Sequence, residues 1–308
     1  MTDQQTTVVL NNNSMSLDAL FAGVSAVLGK TLVAPIERIK IILQTQQTIQ
    51  SLKQADGTRK QYTGFFNCLS SLYRKEGFFA LWRGNMMNVL RYAPNQAANF
   101  SFNSYFQKAI LDDQSKNRQG YRYFLAGGLA GASANFFFYP LDFFKTRMAT
   151  DLGRGAQRDL GGVVQCFNRI RKNEGLLGLY KGISISLFVV FTYRGIYFGG
   201  SSYGKVNFKE NLDNKMFKFL YFHFLSVFSG ILLHPFDTVR RRLIVQQGRN
   251  RVEKEYTGFF NAVHKIYAVE GVRGFFKGVI VNTFRSLSST LVMFFFDELT
   301  IIRNRALR

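Results

Sequence analysis

The chain has 308 residues, 47% of them hydrophobic, and a formal net charge of +21. Its basic residues form no arm or stripe but alternate with apolar runs such as 217–233 and 291–296, which argues against nucleic acid and for a basic membrane protein. The 33 phenylalanines suit a lipid-facing surface, while two isolated cysteines and three scattered histidines give neither a metal cluster nor a nucleophile–base pair, so an enzyme is not expected.

In chain order, residues 1–16 form a polar tail rich in Asn, Gln and Thr, with no Lys or Arg. That composition matches neither a secretory leader nor an Arg-rich presequence, and targeting is expected to be internal. Six long helices follow, at about 17–44, 85–111, 122–149, 183–207, 216–246 and 280–304. At about 1.5 Å per residue each is long enough to span a bilayer with some tilt. None is purely apolar. Lys30, Arg91, Arg194 and Arg285 fall inside them, and an ionisable group at that depth must face protein or water. One face of each helix is therefore expected to line an aqueous cavity. Between the two helices of each pair lies a polar loop with a short amphipathic stretch, as from Phe65 to Arg74, suited to a membrane surface. The first loop carries Lys53, Arg59 and Lys60. Small residues at Gly127, Gly128 and Gly131, with weaker versions around Gly23 and Gly230, allow close helix contact. Cys68 and Cys166 read as small buried thiols.

A proline, an acid and a base recur three times: Pro35-Ile-Glu37-Arg-Ile-Lys40, Pro140-Leu-Asp142-Phe-Phe-Lys145 and Pro235-Phe-Asp237-Thr-Val-Arg240. The prolines stand 105 and 95 residues apart. Glu-Gly pairs at 76, 174 and 270 echo the same period, as do basic-Gly pairs at 83, 181 and 277. The chain is thus three copies of one unit, with boundaries expected at 17–112, 113–208 and 209–308. Each proline should kink its helix. Acid and base three apart can bridge locally. Alternatively, around a pseudo-threefold axis each acid meets the next repeat's base, as Glu37–Lys145, Asp142–Arg240 and Asp237–Lys40, closing a ring that acts as a gate.

These motifs, with the turns Trp82-Arg83-Gly84, Tyr180-Lys181-Gly182 and Phe276-Lys277-Gly278, closely resemble those of the mitochondrial carrier family over residues 17–305. The resemblance implies an all-α, six-helix membrane protein of the mitochondrial inner membrane, with short amphipathic helices on the matrix side. It implies alternating access, with the ring as matrix gate and Gln44 as a brace beneath one pair. It also implies cardiolipin at Gly84, Gly182 and Gly278, where free amides open the following helices. The likeness is greatest to the members that exchange ADP and ATP, on Arg83 to Tyr92, Pro94-x-Gln96, Tyr139 to Asp142, Tyr193 to Gly199 and Phe236 to Arg242. By that likeness Lys30, Arg91 and Arg285 bind phosphates, and Val190, Tyr193, Arg194 and Tyr197 lie near the adenine. Arg240, Arg241 and Arg242 stand for the nucleotide carriers' arginine run, here followed by Leu243, Ile244 and Val245 instead of methionines.

The chain departs from the family in three further places. Val189 and Val190 replace a Gly-Ile pair at the adenine, and Ser201 replaces a tyrosine. Most of the charges expected for a second, cytoplasmic ring are missing, which leaves Lys205 and Asp297 as a residual pair. Unequal rings should favour a state closed at the matrix ring. Exchange of adenine nucleotides is the reading these residues favour. The eroded ring leaves a structural subunit of a respiratory assembly as the alternative, and the two valines leave a carrier of another nucleotide or anion.

Overall fold

The computed structural model describes residues 12–49, 52, 61–111, 119–153, 160–208, 214–249 and 253–283. The N-terminal residues 1–11, Lys53, Arg59, Lys60, Arg285, Asp297 and the helix expected at 280–304 beyond residue 283 lie outside them, as does the side chain of Lys205.

The elements run α1 (Asn12–Thr45), α2 (Phe65–Glu76), α3 (Asn85–Leu111), α4 (Gln119–Ala149), α5 (Val163–Glu174), α6 (Ile183–Asn207), α7 (Lys215–Leu232), α8 (His234–Val245) and α9 (Phe259–Phe275). A further helix begins at residues 279–283, and no strand occurs among the described residues. The pattern is long helix, short helix, long helix, repeated. The short helices α2 and α5 each start at a glycine and end at the Glu-Gly pair, followed by a 3-10 turn, Phe78–Trp82 or Leu176–Tyr180. In α9 the equivalent Gly271, at φ 64° and ψ −163°, leaves the helical conformation and kinks the span.

The expected helix at 216–246 is two helices. α7 and α8 meet at Leu233 with a bend of 54°. Pro235 stands in the first turn of α8, where its missing amide hydrogen costs nothing. Pro35 and Pro140 lie within continuous α1 and α4.

Among the described residues, Leu176–Ser201 is long and apolar enough to cross a membrane, and the bent α7–α8 pair adds a second candidate. Six such spans were expected. The other long helices carry ionisable and amide groups on one face, and these lower their mean hydropathy.

Glycines bring α4 and α6 together. A Cβ at Gly128 would stand 2.7 Å from the Phe191 ring, and one at Gly131 would stand 2.7 Å from Arg194 Cγ and 3.2 Å from Val190 Cγ1. The T-shaped Phe124–Phe191 pair, with centroids 5.6 Å apart, fills the same seam. Small residues therefore set the wall of the cavity described below, because they fix how near α6 approaches.

Three apolar clusters stand at the end of the long helices where the short ones attach. One holds Ile39, Ile42, Cys68 and Leu72, another Phe143, Met148, Cys166 and Ile170, and the third Val239, Leu243, Ala262 and Ile266. Burial pushes the Cys68 thiol up to about 12 and also raises Cys166. Both are fully buried free cysteines.

Candidate substrate cavity and ion-pair ring

A cavity of about 240 Å³ opens where α1, α3, α4, α6 and α8 converge. Six cationic side chains line it: Lys30, Lys40, Arg91, Lys145, Arg240 and Arg241. Glu37 and Asp142 are its carboxylates, and Asp237 pairs with Lys40, Arg240 and Arg241 from beside it, so six cations against three carboxylates leave three positive charges in surplus. Asn88, Asn135 and Ser186 supply neutral polar groups, while Ile41, Val189 and Val190 supply the apolar wall. Cations concentrated between low-dielectric walls draw in and hold a polyanion.

The floor of this cavity is a ring of ion pairs joining the three repeats. Lys145 Nζ lies 2.6 Å from Glu37 Oε2. Arg240 Nη1 lies 2.8 Å from Asp142 Oδ2, and Lys40 Nζ lies 3.4 Å from Asp237 Oδ2. These are the inter-repeat partners expected from a threefold arrangement. In the third repeat the local bridge forms as well: Arg240 Nη2 reaches Asp237 Oδ1 at 3.1 Å, and Arg241 Nε reaches Oδ2 at 2.9 Å. Asp237 thus divides its charge among three cations, which accounts for the longest of the three contacts. Gln44 stands below that pair, its Nε2 3.5 Å from Asp237 Oδ2 and 3.2 Å from Thr238 Oγ1. His234 Nε2 is 3.3 Å from the same amide and 3.1 Å from the Lys277 carbonyl, tying α8 to the Lys277–Gly278 turn.

The arginine run serves three separate purposes. Arg240 belongs to the ring. Arg241 lines the cavity between Asp237 and Thr146 Oγ1, the latter at 3.5 Å. Arg242 turns away from the cavity. Its guanidinium forms a two-point pair with Glu270 on α9, and its Nε donates to the Gln44 carbonyl at 3.0 Å. Arg38 does the same in the first repeat, bonding Glu76 Oε2 at 2.8 Å and the Ala149 carbonyl at 3.0 Å. In the first and third repeats the Glu-Gly pair is therefore an anchor that fastens the short helix to a long one, whereas in the second Glu174 accepts from the Gly248 amide and pairs with Lys254 at 2.9 Å. Sequence reading noted its recurrence but not its partners.

Of the other expected binding residues, Lys30 lies over the Tyr92 ring at 5.3 Å, and Arg91 Nη1 is 3.8 Å from Asp142 Oδ1. Val190 faces the cavity. Tyr193, Arg194 and Tyr197 stand apart from its lining. Tyr193 shares a 2.9 Å hydrogen bond with Ser226 of α7, Arg194 packs on Gly131, and Tyr197 lies against Phe222 at 6.1 Å. Where the second ring's base would stand on α3, Phe106 packs beside Phe102 at 6.5 Å, and Phe102 stacks on Phe137 at 6.0 Å.

Gly84, Gly182 and Gly278 adopt φ of 91°, 82° and 82°, a region that disfavours a side chain. A Cβ at Gly84 would stand 3.0 Å from the Lys145 carbonyl and 3.2 Å from the Ala149 amide, both backbone atoms of the next repeat. Gly84→Ala should therefore cost about 1–3 kcal/mol. The check is thermal unfolding of the purified protein, with Gly64→Ala, which meets nothing within 4 Å, as the reference.

A threefold-repeated helical unit, a ring of inter-repeat ion pairs and a cationic cavity above it define a carrier-type membrane protein. The chain belongs to the mitochondrial carrier family: the model of that family, described as mitochondrial carrier protein, matches residues 11–114, 116–212 and 223–302. Its relatives include ADP/ATP translocase 4 of Mus musculus, 38% identical over 93% of this chain and 89% of that protein. ADP/ATP translocase 3 of Homo sapiens is 37% identical and ADP/ATP translocase 2 of Rattus norvegicus 38%, each over 93% of this chain and 97% of the relative.

Proposed function

We propose that this carrier exchanges ADP for ATP across the mitochondrial inner membrane by alternating access. The observation that carries the reading is the cavity with three surplus positive charges standing directly on the ion-pair ring. A nucleotide's phosphates are polyanionic and match that surplus, and the guanidinium of Arg91 suits a phosphate because it donates parallel hydrogen bonds. The relatives named ADP/ATP translocase point to the same substrates. Entering nucleotide places its phosphates among Lys30, Arg91 and, from beyond the described residues, Arg285, with its base toward Val189 and Val190. Arg91 lies 3.8 Å from Asp142, so bound phosphate competes with that carboxylate for it and loosens the ring. The ring is the matrix gate in this cycle. Cardiolipin phosphate at the helix starts after Gly84, Gly182 and Gly278 would steady the closed state.

The test is uptake of labelled ADP into cardiolipin-containing liposomes that hold the purified protein and are preloaded with ATP. Saturable uptake that needs internal ATP is expected. The aromatic contact of Phe106 with Phe102, where a second ring's base would stand, favours one other reading, a carrier fold kept as a structural subunit. Folded protein that moves no ADP, ATP or phosphate would select it.

A further inference from the structure

Each ring base touches a second polar group besides its carboxylate, and the three groups hold equivalent places. Lys145 Nζ donates to Asn88 Oδ1 at 3.0 Å, Arg240 Nη1 to Ser186 Oγ at 2.8 Å, and Lys40 Nζ to Asn282 Oδ1 at 2.9 Å. Asn88, Ser186 and Asn282 each stand four residues after the turn glycine, at 84, 182 and 278. They lie one turn into the second long helix of their repeat. The acid comes from the first long helix of that same repeat: Glu37 with Asn88, Asp142 with Ser186, Asp237 with Asn282. Every base is thus seated between both long helices of the preceding repeat.

The surroundings are shaped for this contact. Asn88 also donates through Nδ2 to Glu37 Oε2 at 3.4 Å, so one amide spans acid and base. Ser186 is fully buried and takes a second hydrogen bond, 2.9 Å, from Asn135 Nδ2. A Cβ at Gly230 would stand 3.2 Å from Asn282 Nδ2, so the glycine leaves that amide its space. Asn88, Asn135 and Ser186 also line the cavity.

We infer that Asn88, Ser186 and Asn282 are positioning residues of the gate, each holding a ring base on the second helix of its socket and thereby coupling cavity occupancy to gate opening. A buried cation needs partners for all its donors. The amide or hydroxyl supplies one that survives when the carboxylate lets go, and it sets the angle at which the base meets the acid. A phosphate entering the cavity meets these groups and the bases together, so the sockets loosen from above.

This inference rests on the ring being a gate, and the experiment separates the two. In a chain with Cys68→Ala and Cys166→Ala, Thr146→Cys places a reporter at a fully buried position beneath Arg241. Maleimide labelling of the purified protein then reads opening of the ring. Asp142→Asn should speed labelling; if it does not, the ring is no gate and both readings fall. Asn88→Ala and Asn282→Ala should each speed it about tenfold, the worth of one hydrogen bond to a charge. Asn88→Ser, which restores a hydroxyl acceptor, should return most of the closed state. Ser229→Ala deletes a fully buried hydroxyl that bonds only the Leu225 carbonyl, and should leave labelling unchanged. If a socket variant fails to fold, Ser186→Ala, the loss of one oxygen atom, carries the same expectation. Labelling that stays at the starting rate in these variants, or that Ser229→Ala accelerates equally, overturns the socket role while leaving the gate.

Discussion

Arg91→Ala should reduce ADP exchange about a hundredfold, while Arg91→Lys should retain roughly a tenth of the starting rate. Both estimates follow from the worth of a hydrogen bond to a charged group, about 1.5–3 kcal/mol, and from the second donor that only a guanidinium supplies. Arg91 has two roles in the cavity. It lines the wall, and it lies 3.8 Å from Asp142 Oδ1, whose other oxygen holds Arg240 at 2.8 Å. A phosphate that captures Arg91 removes a cation from Asp142, and the Asp142–Arg240 pair must then carry the carboxylate alone. Alanine removes the capture and the transfer together, so the loss should appear in kcat as well as in KM. Lysine keeps the charge but not the fork, so KM should suffer more than kcat. The measurement is the concentration dependence of initial ADP uptake into ATP-loaded liposomes. Arg194→Ala is the contrast: its guanidinium is outside the cavity lining and its stem packs on Gly131, so its effect should be several-fold smaller. Equal losses at Arg91 and Arg194 would mean that the substrate sits nearer α6 and α7 than the cavity lining places it.

Much of this architecture was legible because it repeats. The prolines at 35, 140 and 235 give the period, and the acid-base spacing gives the register. A threefold axis then dictates which acid meets which base. The observed pairs Glu37–Lys145, Asp142–Arg240 and Lys40–Asp237 are those partners. What stayed illegible depends on which way a side chain turns. Arg240, Arg241 and Arg242 are consecutive, and about 100° of rotation per residue sends them to a ring, a cavity and an anchor. Asn88, Ser186 and Asn282 keep the period too, but one of the three differs in type, and a polar residue near a helix start usually reads as a cap. The break at Leu233 was hidden for another reason. Pro140 lies inside continuous α4, whereas Pro235 follows a bend that makes it the start of α8, so the same motif yields two backbones.

Glu270→Gln should lower the melting temperature by on the order of 10 °C, although Glu270 touches no cavity residue. Arg242 is fully buried at its side chain, and Glu270 is 6% exposed. Removing the carboxylate's charge strands the guanidinium, and breaking such a pair from one side costs about 3–5 kcal/mol. Arg242→Met should cost less, because Glu270 keeps Lys277 at 2.7 Å. The double variant should be more stable than Glu270→Gln alone, since no orphaned cation remains. That ordering distinguishes an anchor from a substrate arginine, whose loss would leave stability alone and abolish exchange. Acid gives an independent reading. Burial would raise the Glu270 carboxyl, but the Arg242 fork and Lys277 outweigh it and hold it below its ordinary 4.5. A depressed folded value means that the anchor's contribution is complete above that ordinary value and fades as pH falls through the lower, folded one. The starting protein should therefore lose melting temperature progressively below about pH 4.5. Glu270→Gln, already without the carboxylate, should show a shallower decline, measured by the same melts across pH 3 to 7. A parallel decline in both would place the acid sensitivity elsewhere.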